Sequence, residues 1–584
     1  RLMRRLLRYL APYWWLVGLA VLILAAASAT EVVGPWLTKV ALDDAIPPPG
    51  DPRLLTYLAM GYLAAMTLSF VLQYVQRMLT TWLGQRIMYD LRREVFRKFQ
   101  TLDLKFYDKN PVGRLITRIT SDVETLNELF SSGIVTVFGD VFTLVFIVAA
   151  MLRMDWQLAL ISFSVLPFVA WAAFLFRARI REAYRDIRVR LARINAFLHE
   201  RFTGIQVVQL FNREERDAQR HHEVNTDYLE AHLRSITYYA LFFPVIELFT
   251  AIALALIIWS GGSSILQGTV TVGVVAAFLQ YARRFFRPIQ DLSEKYNLLQ
   301  GAMASSERIF KLLDTEIAID DPPDPTPLPH ETRGEIEFRD VWFAYGKRED
   351  GEPDWVLKGI SFRVRAGEKV AIVGHTGAGK TTLINLLMRF YDPQKGVILL
   401  DGVPIHQVKL DDLRSRMGLV LQDVFLFSRD VAYNIRLGSG EIGETQVRDA
   451  AKRVGAHRLV EKLPKGYEQP LGERGSSLSV GERQLLSFAR ALAYDPAILI
   501  LDEATSSVDS EIEAQIETAT DELMKGRTSL VIAHRLSTVQ GADRILVFHH
   551  GELKEEGTHQ ELLDHGGLYA RLHELQFAVV APAG

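Results

Sequence analysis

The chain carries a series of apolar runs that are almost free of charge. Pro12 to Thr30 holds no charged side chain, and Leu55 to Leu72 is a second such run. Gly133 to Leu152 is a third, interrupted only by Asp140; Trp156 to Phe176 is a fourth; Tyr238 to Leu266, containing Glu247, is a fifth. Each approaches the roughly 20 residues that a helix needs to cross a bilayer. In hydrocarbon a segment has to satisfy its own backbone N–H and C=O groups, so runs of this kind are constrained to be helices. Thr269 to Ala282 is a weaker sixth, read as extending past Arg283 and Arg284 as a helix. One run alone would fit a buried core helix; five in succession do not. The first run follows Arg1, Arg4, Arg5 and Arg8 and holds Ala-Ser-Ala, which a signal peptide would also show. It is long for a signal core, and the later spans need an anchor on the correct side.

Loop charge orients the spans. The N-terminus is basic, and the loop after the first span is short and mildly acidic (Asp43, Asp44, Asp51). Between the second and third spans lie Arg77, Arg86, Arg92, Arg93, Arg97, Lys98, Lys105, Lys109, Arg114 and Arg118, and arginines are denser still from Arg177 to Arg220. Six crossings with both termini inside follow. The two basic loops are too long for turns, and their pattern is helical. They read as membrane helices continuing into the cytoplasm and returning, with Gly113 and Gly204 near the points of reversal.

Past residue 335 no comparable apolar run occurs. Asp320 to Glu331 holds five prolines, which prevents a helix and favours an extended linker. Beyond it, strand and helix patterns alternate to about residue 575, which predicts an α/β domain with a mainly parallel sheet. The expected division is a membrane domain over 1–315, a linker over 316–333 and a soluble domain over 334–584. The 584 residues include no cysteine, which excludes disulfides, thiolate metal sites and cysteine nucleophiles. A net charge of −3 argues against a dedicated nucleic-acid binder.

Gly374-His375-Thr376-Gly377-Ala378-Gly379-Lys380-Thr381 fits the phosphate-loop pattern G-x-x-x-x-G-K-[ST]. The apolar run Val370 to Val373 before it reads as a buried strand, and Thr382 to Phe390 after it as a helix. Glycines let backbone N–H groups approach phosphates, and the helix N-terminus adds positive potential. Lys380 is placed to reach the β and γ phosphates of ATP, and the Thr381 hydroxyl to hold Mg²⁺. Ala497 to Asp502 reads as a buried strand ending in a carboxylate, the place of a second Mg²⁺-associated acid. Glu503 follows directly, where it can polarise the attacking water. Taken alone, His534 after the strand Ser529 to Ala533, and Gln422 after Met417 to Leu421, say little.

In this order the motifs resemble those of an ATP-binding cassette exporter, over essentially the whole chain. The resemblance implies an α-helical membrane domain of six transmembrane helices with long cytoplasmic extensions, followed by an α/β nucleotide-binding domain. It implies that Tyr345 stacks on adenine, that Gly374 to Thr382 cradle the phosphates, and that Gln422 senses Mg²⁺. Leu478-Ser479-Val480-Gly481-Glu482-Arg483-Gln484 resembles the family signature, Leu499 to Glu503 the Walker B strand with its catalytic glutamate, and Ser506 to Asp509 the D-loop. His534 is similar to the switch histidine that contacts the γ-phosphate. Phe106 to Asp122 and Thr203 to Glu215 resemble the two intracellular loops that press on the nucleotide domains.

One departure matters. The signature is usually Leu-Ser-Gly-Gly-Gln, whereas Val480 and Glu482 stand here. In the family one subunit's signature completes the other's ATP site. An added side chain and carboxylate there disfavour phosphate. The Walker motifs and Glu503 are intact. This mixture resembles one subunit of a heterodimeric exporter with one competent and one degenerate ATP site. The implied partners are a second half-transporter, the bilayer of the plasma membrane, and a hydrophobic drug, peptide or lipid-like cargo. A homodimeric flippase, an ATP-gated channel or regulator, and an ATPase with a passive anchor are the competing readings. Asp140, Glu247, Glu31, Arg283 and Arg284 are candidates for a cavity lining because charge within spans is costly and often functional.

Overall fold

A computed structural model describes residues 2–329, 331–502, 510–533 and 535–577. The chain forms two compact units: residues 1–100 with 112–315, and residues 101–111 with 316–584.

The first unit is helical. Among the described residues five helices are long and apolar enough to cross a membrane: Ala11–Ala45, Pro52–Thr101, Val137–Met154, Trp156–Thr203 and Glu214–Leu266. The weaker sixth run lies in the continuous helix Val272–Leu313, which passes Arg283 and Arg284 without a break. Its charged residues keep it outside that apolar set. Local chemistry sets the helix starts. Asp155 accepts from the N–H of Leu158 (2.7 Å), and Thr271 from that of Val274 (3.4 Å). Phe278, Tyr281, Ile147 and Ile257 pack in the buried core of this unit, where the Tyr281 hydroxyl donates to the Val32 carbonyl (2.6 Å). Other large apolar side chains face outward, with Trp14 74% and Trp259 76% exposed. Such a surface is stable only against lipid.

The basic loops are built as expected, with one shift. Pro52–Thr101 and Glu214–Leu266 run 50 and 53 residues, far beyond a bilayer's thickness. In the first loop the reversal falls at 102–111, ahead of Gly113, which sits inside the helix Val112–Ile119. Pro111 is the reason: it cannot continue a helix but can open one. In the second loop Gly204 ends the long helix as expected, and the short helix Ile205–Leu210 follows.

The second unit holds ten strands among the described residues: β1 (Ile336–Lys347), β2 (Pro353–Val364), β3 (Lys369–Val373), β4 (Lys395–Leu400), β5 (Val403–Pro404), β6 (Met417–Val420), β7 (Ile498–Asp502), β8 (Thr528–Ile532), β9 (Arg544–His549) and β10 (Glu552–Gly557). Six form the expected mainly parallel sheet in the order β10-β9-β3-β8-β7-β6, with only β10 antiparallel. A second, antiparallel sheet in the order β2-β1-β4-β5 was not legible as a separate layer. The two sheets share one core around Phe338, Phe343, Ile372 and Leu383. Among its described residues the proline-rich segment has no helix or strand, as its composition predicts. It is nonetheless tied down: the Thr326 N–H donates to Gln407 O (2.8 Å) and the Leu410 N–H to the Asp321 carboxylate (2.7 Å).

Residues 101–111 pack with this second unit. Asp103 caps the helix Leu104–Lys109 through the Phe106 N–H (3.2 Å), and its other oxygen accepts from the Ala318 N–H (3.1 Å). The hydroxyl of the buried Tyr391 donates to Asp108. Burial, reinforced by Asp108, holds the Tyr391 phenol well above its ordinary pKa.

Candidate active site

The site is built at the carboxyl ends of the parallel strands, the usual position for ligands in such sheets. β3 lies between β8 and β9, and Asp502 pairs in register with Ile532 while Ile372 pairs with the same residue. The phosphate loop after β3 and the acid ending β7 therefore reach one edge of the sheet. Gln422 follows β6, whose Val420 pairs with Leu501, so it lies past the same edge, exposed. Ala533 continues β8 there, its N–H donating to Ile372 O (3.2 Å). Glu503, Asp509 and His534 lie outside the described residues.

Two glycines of the loop are required by space. A Cβ on Gly374 would stand 2.3 Å from Phe548 O. Gly379 has φ +100°, and a Cβ on it would meet Leu357 Cδ2 at 2.6 Å. Gly379 begins the helix Lys380–Leu387 with no side-chain cap, so no side chain takes up the first N–H groups there. Lys380 is 8% exposed, and its ammonium donates to the carbonyls of Gly374 (2.6 Å) and His375 (3.1 Å). Burial lowers its pKa, and the Asp502 carboxylate opposes that shift. Ala378 is fully buried, whereas Thr376, Gly377 and Thr381 line the open side of the loop. The Thr381 hydroxyl and the Asp502 carboxylate are hard oxygen donors of the kind Mg²⁺ takes.

Tyr345, near the end of β1, stands beside this helix. Its hydroxyl donates to Thr382 Oγ1 (3.2 Å) and accepts from Asn385 Nδ2 (3.3 Å), and its ring stands edge-on to Tyr391 at 5.1 Å. It remains 39% exposed, so a ring face is available for stacking.

The signature segment opens a second helix, Val480–Ala493. Here the start carries a reciprocal cap. Ser479 Oγ accepts from the Glu482 N–H (3.3 Å), and Glu482 Oε2 accepts from the Ser479 N–H (2.8 Å). Val480 is 50% exposed at this tip, while Gly481 is buried. Arg483 donates to Leu478 O (2.8 Å), which tightens the turn before it. The structure thus brings the phosphate loop, Asp502, Tyr345 and Thr382 together, and leaves Ser479 to Glu482 as a tip of their own.

Sequence reasoning overlooked Tyr391 and its bond to Asp108. The cue was present in Phe106 to Asp122, where an aspartate precedes the turn, but the partner is 283 residues away. It also overlooked Asn434, fully buried, which bridges Phe427 through both its amide groups (2.8 and 3.0 Å) and shapes the segment after Gln422.

Comparison with known proteins agrees with this geometry. Residues 17–289 match the ABC transporter transmembrane region, and residues 357–506 the ABC transporter family. An ATP-dependent lipid A-core flippase of Syntrophus aciditrophicus is 38% identical over 574 residues, spanning 98% of this chain and 94% of its own. A Bacillus subtilis protein named as a probable multidrug resistance ABC transporter ATP-binding/permease protein is 38% identical over 546 residues, 92% of this chain and 79% of its own. The solved structure of a bacterial Atm1-family ABC exporter with ATP bound superposes with a TM-score of 0.79 at 28% identity, covering 98% of this chain and all of that one. A helical membrane domain, one ATP-binding domain and this likeness over nearly the full length make the chain a multi-pass membrane protein of the ATP-binding cassette family, an ATP-driven exporter half-transporter.

Proposed function

We propose that the chain works as one half of a heterodimer with one competent and one degenerate ATP site. The observation that carries this reading is the intact phosphate loop at Lys380 set against the signature helix, whose start holds the Glu482 carboxylate and the half-exposed Val480 side chain. The competent site uses this chain's phosphate loop and a partner's signature. In it Lys380 and the backbone N–H groups from Thr376 to Thr382 bind the β and γ phosphates, and Tyr345 stacks on adenine. Thr381, Gln422 and Asp502 hold Mg²⁺, which when bound neutralises phosphate charge. Glu503 polarises the attacking water, His534 contacts the γ-phosphate, and Asp509 lies in the segment facing the partner. The degenerate site uses Ser479, Val480, Gly481 and Glu482 of this chain.

ATP binding closes the two nucleotide domains, and hydrolysis at Glu503 lets them part. Closure shifts the population of the membrane domain towards an outward-facing state only because ATP binds the closed form more tightly. The helices Leu104–Lys109 and Ile205–Leu210 carry that motion. The second exposes Ile205, Val207 and Leu210 at 42, 58 and 74%, as a surface awaiting a partner does. The arginine-rich loops support a cytoplasmic N-terminus and nucleotide domain in the plasma membrane. The cargo is a hydrophobic drug, a peptide or a lipid-like molecule.

Native mass spectrometry of the assembly extracted from its own membrane tests the pairing. One copy of this chain with a different chain carrying a complete signature is expected. Twice this chain's mass overturns the heterodimer. The flippase relative favours a lipid-like cargo; the second reading is a homodimer moving lipid or drug, in which Glu482 faces phosphate in both sites.

A further inference from the structure

Three histidines converge beside the phosphate loop. β3 and β9 are parallel, with Val373 paired to Val547. Two residues further along each strand stand His375 and His549, so the register brings them abreast. His550 follows at φ +48°, in the turn between β9 and β10. That turn is clamped by the Lys358 N–H, which donates to Gly551 O (2.8 Å). One ring nitrogen from each of His375, His549 and His550 lies within 4.8 Å of the others. Ring centroids are 4.9 Å apart for His375 with either neighbour and 4.2 Å for His549 with His550.

The protonation pattern suits a metal. His375 Nδ1 is 2.7 Å from Thr376 O, so the N–H sits on Nδ1 and donates to that carbonyl. The lone pair is then on Nε2, which is buried and without a hydrogen-bond partner among the described residues. A ligating histidine whose other nitrogen donates to a backbone carbonyl is the usual arrangement around a metal. Of the charged groups nearby, Lys554 is paired with Glu552. His550 is exposed, leaving one side open to solvent for a fourth ligand.

We infer that His375, His549 and His550 form a binding site for a borderline divalent transition ion, Zn²⁺ and its spectroscopic substitute Co²⁺, distinct from the oxygen-donor Mg²⁺ position at Thr381 and Asp502. Three neutral imidazoles favour such ions and offer nothing to Mg²⁺. Bound metal would pin the start of the phosphate loop to the β9–β10 turn.

The test uses the untagged, detergent-solubilised full-length protein in its assembled form, without nucleotide and with excess Mg²⁺. Co²⁺ is titrated and its visible absorption followed, then Zn²⁺ is added. One Co²⁺ per copy of this chain, with the intense bands of low coordination, displaced by Zn²⁺, is expected. His550→Asn tolerates the left-handed turn and His549→Gln keeps the volume; each is expected to weaken binding at least about tenfold, with unchanged unfolding midpoints confirming the fold. His375→Gln removes the third ligand with the same result. Affinity and spectrum unchanged in the folded His550→Asn and His549→Gln proteins, or no visible bands in the parent, would overturn the site.

Discussion

Two helices of the second unit begin where an exporter of this family meets phosphate, and they begin differently. Lys380–Leu387 starts from Gly379, which offers no side chain, so its leading N–H groups are left for a ligand. Val480–Ala493 starts from Ser479 in a reciprocal pair with Glu482, which satisfies two of those groups internally. The first end is open in the way the proposed phosphate site needs. The second is stable without one and adds a carboxylate where the helix dipole would otherwise attract an anion. A helix start can thus be stabilised for folding or left open for binding, and one chain holds both solutions.

The contrast breaks most sharply at Glu503. Glu503→Gln is expected to keep ATP bound while turnover falls about 10²- to 10⁴-fold; phosphate release at the parental rate would sink the assignment of Glu503 as the base. Lys380→Ala removes the buried ammonium under that loop. Nucleotide affinity, measured by titration with a fluorescent ATP analogue, should drop about 10- to 100-fold, and unaltered affinity would mean that the open helix end alone suffices. At the other end, Ser479→Ala removes the cap and should cost about 1 kcal/mol of stability, read by chemical unfolding, while sparing hydrolysis. Strong loss of hydrolysis there would place this signature over a working site. The smallest effect is expected from Val480→Gly combined with Glu482→Gln. Glutamine retains the reciprocal bond, so only the charge and the valine side chain go. ATP affinity at the site this helix faces should rise about two- to fivefold; a decrease would mean that Glu482 assists nucleotide binding.

The two intracellular loops offer a parallel contrast. Leu104–Lys109 is held by Asp103 and by the Tyr391 hydroxyl on Asp108, all within the second unit. Ile205–Leu210 lies in the first unit, buries Val208 and keeps Ile205, Val207 and Leu210 outward. Their sequences alike read as amphipathic helical turns. What separates them is whether a partner surface is supplied by the same compact unit.

Local patterns carried most of the reading. Charge-free runs imply spanning helices because unsatisfied backbone is intolerable in lipid. The phosphate loop is contiguous, so Gly374 to Thr381 were legible without any tertiary information, as was the strand ending at Asp502. The capping box was within reach too, since Ser479 and Glu482 are three residues apart. Contacts that depend on strand order were not legible. Nothing in the spacing of His375 and His549 announces that β3 and β9 are neighbours, nor that Asp108 meets Tyr391. The antiparallel sheet escaped for the same reason: β1 pairs with β2 and also with β4, and the latter pairing depends on packing against the parallel layer. Periodicity and short motifs report a residue's relation to its neighbours along the chain, and these suffice for element type and for a loop that binds by its own backbone. Which side chains from distant segments face one another follows from sheet order and register, and that is set by burial of a shared core rather than by any local preference.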